Sequence, residues 1–384
     1  FEFVGARKES YDRNSRKPKV EDGTFEDDIY RRDFTINTLA ISLNEGTYGE
    51  LVDTFDGLQD LKNGIIKTPL EPKVTFSDDP LRMMRAVRFA TQLDFFIEDE
   101  TFNALQSEAK RLSIISQERI TDELNKIIKS KKPSIGFKIL FDTKLLHEFF
   151  PEMVLLQGVE FREGKGHKDN FYHTLQVLDQ TCEKTDDLWV RWSAIMHDIA
   201  KPPTKRFVKG EGWTFHGHED KGSRMVKPIF KRLKLPLGES MRRVTNLVRL
   251  HLRPIALTKD NITDSAVRRL IFDAGSDLED LLILCKSDIT TKNKKKEERF
   301  QANLVNVEQN IASVEERDRI RNWQPPVDGA EIMNIFGIGP SREIGQIKTA
   351  LKDAILDGII TNDYDEAHKF VLEKGKELGL QSNE

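Results

Sequence analysis

The chain opens on FEFV, an apolar–polar alternation of the kind a half-buried strand shows. The polar stretch ESYDRNSRKPKVEDGTFEDD follows without any apolar period and reads as a loop of about twenty residues, a length that in compact domains goes with function or mobility. RRDFTINTLAISL and GELVDTFDG then read as short strands. From Asp79 the period lengthens. DPLRMMRAVRFATQLDF places apolar side chains at Leu81, Met84, Val87 and, one step on, Phe89, behind a Pro80 suited to a first helical turn. DETFNALQSEAKRL and SQERITDELNKIIKS predict two more amphipathic helices with Asp and Ser caps, and KKP at 131–133 breaks the run. The pattern predicts an α+β protein: an α/β fragment over 1–65, a helical connector over 66–132, a helical middle over 133–300 and a helical tail over 301–384.

Composition narrows the class. Charged residues make up 32% of the 384, and no apolar run approaches the roughly eighteen residues of a membrane span. The start shows no secretory pattern. The two cysteines, Cys182 and Cys285, lie far apart and imply neither a disulfide framework nor a Cys-type zinc site, so a cytoplasmic location is the expectation. The net charge of −4 hides basic clusters at 82–90, 129–133, 268–272 and 292–299. Such patches either bind a polyanion or are solvated helix faces.

Two stretches carry chemistry for phosphates. In DDIYRRDFTIN, Arg31 and Arg32 offer guanidinium forks suited to phosphate, and Asp33 beside them should stay ionised. In SDDPLRMMRAVRF, Arg82, Arg85 and Arg88 recur every three residues along one helix face, with Asp78 and Asp79 at its start and no regular acidic partner at i±4. That face has the character of a polyanion surface. A carboxylate and a guanidinium one turn apart also match the Watson–Crick edge of C or A. The carboxylate accepts from the exocyclic amino group and the guanidinium donates to the ring nitrogen. Asp79 has a second reading, as the cap of the helix that Pro80 begins.

In order, RRDFTIN, DTFDGLQDLKNG (53–64), DDPLRMMRAVRFA and SQERITDEL (116–124) resemble the motif series of bacterial class II tRNA nucleotidyltransferases, the CCA-adding enzymes and related poly(A) polymerases. The resemblance implies that Arg32 and Asp33 meet the incoming nucleotide. It makes Asp79 and Arg82 the protein template, with Arg85 and Arg88 holding nucleotide. Asp78 stands where the family usually has Glu. The segment at about 8–28 matches the family's flexible loop, DTFDGLQD its hinge between head and neck, and ERITDEL its neck helix. The family transfers nucleotides with two divalent cations, usually Mg²⁺, held by an Asp-x-Asp strand behind a Gly-rich turn. Such a strand is expected before residue 1, which would leave this stretch able to bind nucleotide and RNA weakly but not to polymerise. Glu2 sits where such enzymes place an additional carboxylate, and Asp363–Asp365 (DYD) lacks the Gly-rich context.

Further on, His173, the pair His197-Asp198, His218 and Asp288 resemble the ligand series of the HD metal-phosphohydrolases, where imidazoles and carboxylates hold divalent cations that activate water. His167 and His216 share their spacing. The tail motif GIGP (337–340) starts a helix that either receives a phosphate or packs. The resemblance implies tRNA 3′ ends, CTP and ATP as partners. Three readings stay open: a tRNA nucleotidyltransferase adding all or part of CCA (or a poly(A) polymerase), an HD phosphohydrolase acting on RNA ends, and a non-catalytic tRNA-binding protein.

Overall fold

In the computed structural model, residues 4–10, 19–257, 263–291, 293–318 and 323–383 are described. They form two compact units, 1–249 and 250–384. Helices dominate both, and the described strands make five two-stranded sheets, four of them antiparallel. No described helix is long and apolar enough to cross a membrane.

The first unit begins with a correction. The polar stretch is not loop throughout: Arg7–Ser10 pairs antiparallel with Lys19–Asp22, and Phe25–Tyr30 is a helix with a Thr24–Asp27 capping box. A two-stranded ribbon open to solvent on both faces needs no apolar alternation, so periodicity had nothing to register. FTIN is not a strand either. Thr35–Asn37 is a 3₁₀ turn, because Asp33 Oδ1 accepts from Phe34 N (3.0 Å) and Asn37 Nδ2 (2.9 Å) and folds the backbone over itself. Local side-chain bonding of this kind overrides the strand preference of Phe, Thr and Ile. Of FEFV, Phe1 to Phe3 lie outside the described residues, and Val4 is exposed and in no strand.

The DTFDG segment is a close backbone crossing. Asp53 accepts from Gly57 N (2.7 Å) and Leu58 N (3.0 Å), opening the helix Gly57–Asn63. A Cβ on Gly57 would lie 2.3 Å from the Thr35 carbonyl oxygen, so only glycine admits this approach. Thr35 Oγ1 also donates to Asp60 (2.6 Å), tying the turn to the helix Gly57–Asn63.

The arginine helix, Leu81–Leu93, is the centre of the unit. Met83, Met84, Ala86, Val87 and Ala90 are fully buried, and it packs on the neck helix Gln117–Ile128 and on Ser134–Asp142. Each buried large aliphatic contributes about 1.5–3 kcal/mol, enough to fix which arginine points where. The caps differ from expectation. Glu98, not Asp99, caps Asp99–Glu108, and Ser116 precedes the neck helix without a side-chain cap bond. The neck helix is closed at its other end by Arg191, 2% exposed, from Leu188–Met196. Its Nη1 donates to the carbonyls of Ile128 (3.0 Å) and Ser130 (3.2 Å), and its neighbour Trp192 donates Nε1 to Asn125 (2.9 Å).

The second unit is a helical assembly. Asp264–Ala274 packs on Lys294–Asp318, and Gly329–Phe336, Arg342–Leu356 and Tyr364–Glu377 pack in sequence. The basic cluster at 268–272 has a structural use here, since Arg269 pairs with Asp353 (2.8 Å) and Asp357 (2.9 Å). Asp363 caps Tyr364–Glu377, accepting from Asp365 N at 2.9 Å, which accounts for the DYD run. GIGP ends one helix at Gly337, and Ser341 caps the next, Arg342–Leu356.

Candidate nucleotide cleft and histidine cluster

The first unit holds an open cleft of about 240 Å³ lined by Arg31, Arg32, Asp33, Asp79, Arg82 and Arg85. Residues some fifty positions apart in the chain thus face one space. Arg82, nearly buried, is anchored where its Nη2 donates to the Arg31 carbonyl at 2.6 Å. Arg85 Nε pairs with Asp33 Oδ2 at 2.6 Å. Asp28 bridges the other two arginines, accepting from Arg31 Nε at 3.0 Å and Arg32 Nη2 at 2.9 Å. Burial opposes the Asp28 carboxylate, but the hydrogen bonds from Arg32 and Arg31 prevail and hold its pKa below the ordinary value. At the other wall, Asp79 Oδ1 accepts from Leu81 N (3.0 Å), so its capping role is realised, while Oδ2 stands 3.8 Å from Arg119 on the neck helix. Asp78 lies half-buried behind. Burial raises its pKa against the opposing charges of Arg82 and Arg111.

Two expectations need correcting. The arginine face is not uncompensated: Asp33 answers Arg85, and Glu123 of the neck helix answers Arg88 at 2.6 Å. Long-range ion pairs of this kind leave no i±4 trace. Arg88 does not line the cleft. Its guanidinium also meets Gln92 (3.0 Å) and stacks over Phe89 at 4.0 Å, bracing the helix against the neck. Glu2 lies outside the described residues.

The second site is a buried cluster on Asp198. His173 Nε2 (3.3 Å), His197 Nε2 (3.2 Å) and Lys201 Nζ (2.6 Å) approach Oδ2, and His218 Nε2 approaches Oδ1 at 3.3 Å. The elements that deliver them are Asn170–Cys182, capped by Asp169; Leu188–Met196, capped by Asp187; and His218–Arg232, which His218 opens behind a left-handed Gly217. Two of the imidazoles have a fixed tautomer. His197 Nδ1 lies 2.7 Å from the Ala194 carbonyl and His218 Nδ1 2.8 Å from that of Phe215. A carbonyl oxygen only accepts, so both Nδ1 atoms carry hydrogen and a neutral ring turns its Nε2 lone pair toward the carboxylate. Lone pair against carboxylate is repulsive unless a proton or a cation joins them. Metal-ligating histidines show this back-bonding, and the donor set of imidazoles and carboxylate fits a divalent cation. Burial disfavours the His218 imidazolium, but the Asp198 bond and charge outweigh it and raise its pKa. Burial likewise opposes ionised Asp198, yet the charges of His197 and Lys201 hold its pKa well below the carboxylate range.

Lys201 went unnoticed in the sequence. Its signal was its place one turn after Asp198, on the chain's next short helix. His167 and His216 do not join the cluster's ion pairs. His167 packs edge-on against Trp213 and Phe215, and His216 is exposed beside Glu211. Asp288 is the last residue of Leu278–Asp288 in the second unit, and its charge joins burial in pushing the Cys285 thiol up.

Comparison with known proteins relates the chain to a family. Three family models match: the poly(A) polymerase head domain over residues 1–67, the probable RNA- and SrmB-binding site of polymerase A over 94–156, and the HD domain over 170–291. The A-adding tRNA nucleotidyltransferase of Deinococcus radiodurans is 34% identical over 340 residues, which are 86% of this chain and 75% of that protein. The multifunctional CCA protein of Tolumonas auensis is 31% identical, over 70% of this chain and 65% of its own length. The fold resembles that of the crystal structure of the Bacillus stearothermophilus CCA-adding enzyme in complex with CTP, with a TM-score of 0.60, 21% identity, 94% of this chain and 77% of that one covered.

Proposed function

Because the chain belongs to the tRNA nucleotidyltransferase and poly(A) polymerase family, we propose that it serves nucleotide addition to tRNA 3′ ends, selecting CTP and ATP, or ATP alone, in the cleft between Arg32 and Arg85. The observation that carries this is the meeting of Asp79 and Arg82 with Arg31, Arg32, Asp33 and Arg85 around one open space. Arg82, held by the Arg31 carbonyl, presents a fixed fork to the ring nitrogen of C or A, and Asp79 accepts from the exocyclic amino group. Arg32 and Arg85 face the triphosphate, and Asp33 orients Arg85. Arg88 braces the helix from behind. Bound Mg²⁺ would activate the 3′-hydroxyl and stabilise the departing pyrophosphate. The two carboxylates of the cleft are already committed, Asp33 to Arg85 and Asp79 to Leu81 N, so we assign neither to a metal and route no step through one. We propose a domain division with the head over 1–65, the neck over 66–132, the HD body over 133–300 and a tRNA-binding tail over 301–384.

The Asp198 cluster supports a second activity, metal-dependent hydrolysis of phosphoesters at RNA ends. We assign His173, His197, Asp198 and His218 as ligands, with Asp288 carried over from the HD resemblance and a divalent cation supplying the activated water. Lys201 then neutralises the carboxylate and holds it in place.

Incorporation of labelled CTP and ATP into tRNA lacking its CCA end, with full-length protein, tests the first activity. Loss of C-and-A selection is expected for Asp79→Ala, and a variant with unchanged selection overturns the template reading. His197→Ala is expected to leave addition intact and to abolish hydrolysis of nucleoside 2′,3′-cyclic phosphates. If that variant still hydrolyses them, the histidine cluster is not the site.

A further inference from the structure

Two short hairpins border the histidine cluster. Phe161–Arg162 pairs with Lys165–Gly166, and Arg206–Val208 pairs with Gly212–Thr214. They are joined sideways: Trp213 Nε1 donates to the Lys165 carbonyl at 3.2 Å, and Lys165 Nζ donates to the Gly210 carbonyl. His167 fills the seam against Trp213 and Phe215. The first hairpin runs into the helix that carries His173, and the second lies between Lys201 and His218, so both are covalently anchored on either side of Asp198.

The joined surface has an unusual composition. Residues 160–168 and 201–216 hold seven lysines and arginines (Arg162, Lys165, Lys168, Lys201, Lys205, Arg206 and Lys209) against three glutamates. The chain as a whole is acidic. Aromatic rings alternate with these cations. Phe161 is 77% exposed, its ring lying over the Gly166 backbone, and cations already stack on Phe207 (Arg162, 4.8 Å) and Trp213 (Lys205, 4.6 Å). The Phe161 ring therefore presents most of its surface to solvent beside the Arg162 guanidinium. A cavity of about 250 Å³, lined among others by Glu160, His167, Asn170, Pro202 and Lys205, opens beside the hairpins.

We propose that this two-hairpin surface binds the single-stranded 3′ end of an RNA, stacking a base on Phe161 and holding its phosphates with Arg162, Arg206 and Lys209. The chemistry is that of sequence-tolerant single-strand binding, in which cations track the backbone and exposed rings take the bases. Duplex ends do not fit, because their bases are already stacked. The proposal rests on the reading of the Asp198 cluster as a phosphohydrolase, and gives that site its substrate class: oligonucleotide ends in preference to mononucleotides.

The test separates the two. Binding of a fluorescent single-stranded hexaribonucleotide with a 2′,3′-cyclic phosphate end is measured on the full chain, and hydrolysis of a nucleoside 2′,3′-cyclic monophosphate alongside it. Phe161→Ala is expected to weaken oligonucleotide binding about tenfold and to leave mononucleotide hydrolysis unchanged. Arg162→Ala with Lys209→Ala should flatten the salt dependence of binding, by about 0.7 in logarithmic slope per lost phosphate contact. Oligonucleotide binding unaffected by either change overturns the proposal. If the mononucleotide is not hydrolysed while Phe161→Ala still weakens binding, the surface stands and the phosphohydrolase reading fails. Equal binding of a blunt RNA duplex also overturns the proposal, in favour of charge attraction alone.

Discussion

Asp79→Asn isolates base reading from helix capping. In the structure, Asp79 Oδ1 accepts from Leu81 N at 3.0 Å. Asparagine keeps an oxygen there, so the helix start should lose less than about 0.5 kcal/mol. The contact with Arg119, at 3.8 Å between partly exposed groups, contributes little by itself. At the base edge the exchange is larger, because one acceptor becomes an amide donor. The amino group of C or A then meets a second donor and loses a charge-assisted bond of about 1.5–3 kcal/mol. Since 1.36 kcal/mol is tenfold, selection against U and G should fall by about 10- to 100-fold. The amide also donates to O4 of U and O6 of G, which moves the preference toward those bases. The assay is single-turnover incorporation of each of the four labelled nucleotides into tRNA lacking its end, with the full-length enzyme, read as kcat/KM. Asp79→Ala is the companion: it loses the cap as well, about 1 kcal/mol of stability, without gaining affinity for U or G. An asparagine variant whose ratios stay within about threefold of the wild type refutes the template assignment, however stable it is.

Three other outcomes follow from the same geometry. Arg88→Met strips a partner from Glu123, whose side chain is 5% exposed, and should cost about 2–4 kcal/mol in urea unfolding while KM for nucleotides holds; unchanged stability with a raised KM would move Arg88 into the cleft. Gly57→Ala drives a methyl to 2.3 Å from the Thr35 carbonyl oxygen, so the melting temperature should drop, by a destabilisation of about 1–3 kcal/mol, and a neutral variant would mean the crossing is not tight. Asp187 accepts from Trp189 N, Val190 N and Arg243, and although burial opposes its charge these bonds lower its pKa. A depressed carboxylate stabilises fully above its unfolded pKa of about 3.9 and loses that contribution as pH falls through the lower folded one. The stability gap between wild type and Asp187→Asn should therefore be constant near neutrality and shrink only below about pH 4, and a gap that grows on acidification contradicts the assignment.

What the sequence disclosed was local and chemical. Arg82 and Asp79, or His197 and Asp198, stand close together in the chain, so their chemistry shows in a short window. The ion pairs that decide where arginines point do not: Glu123 lies 35 residues from Arg88 and Asp33 lies 52 from Arg85. Nothing in the arginine helix itself separates the guanidinium that faces the cleft from the one that braces the neck. The pairing of Arg7–Ser10 with Lys19–Asp22 and the turn at Thr35 escaped for the opposite reason. Their structure comes from backbone pairing and one Asp33 side chain, and apolar period is blind to both. Lys201 shows a third limit, since a lysine one turn after an aspartate is common on any helix and gains meaning only once three histidines crowd the same carboxylate.

Arg191 bears on how such a protein can be taken apart. Three family models tile the chain like separate modules, with a gap between residues 156 and 170. The cap on the neck helix disregards that gap: the donors come from 191 and 192, and the carbonyls and amide they satisfy come from 125, 128 and 130. Six residues after Arg191, its helix ends at His197. A protein cut between the modules leaves the Ile128 and Ser130 carbonyls without Arg191 on one side, and on the other leaves the buried Arg191 with Thr185 and Asp186 but without its two neck acceptors. The region that matches the HD domain is therefore no detachable appendage. In any reshuffling of domains, by recombination or by design, the neck and the histidine-bearing helix must be inherited together, as one piece of architecture.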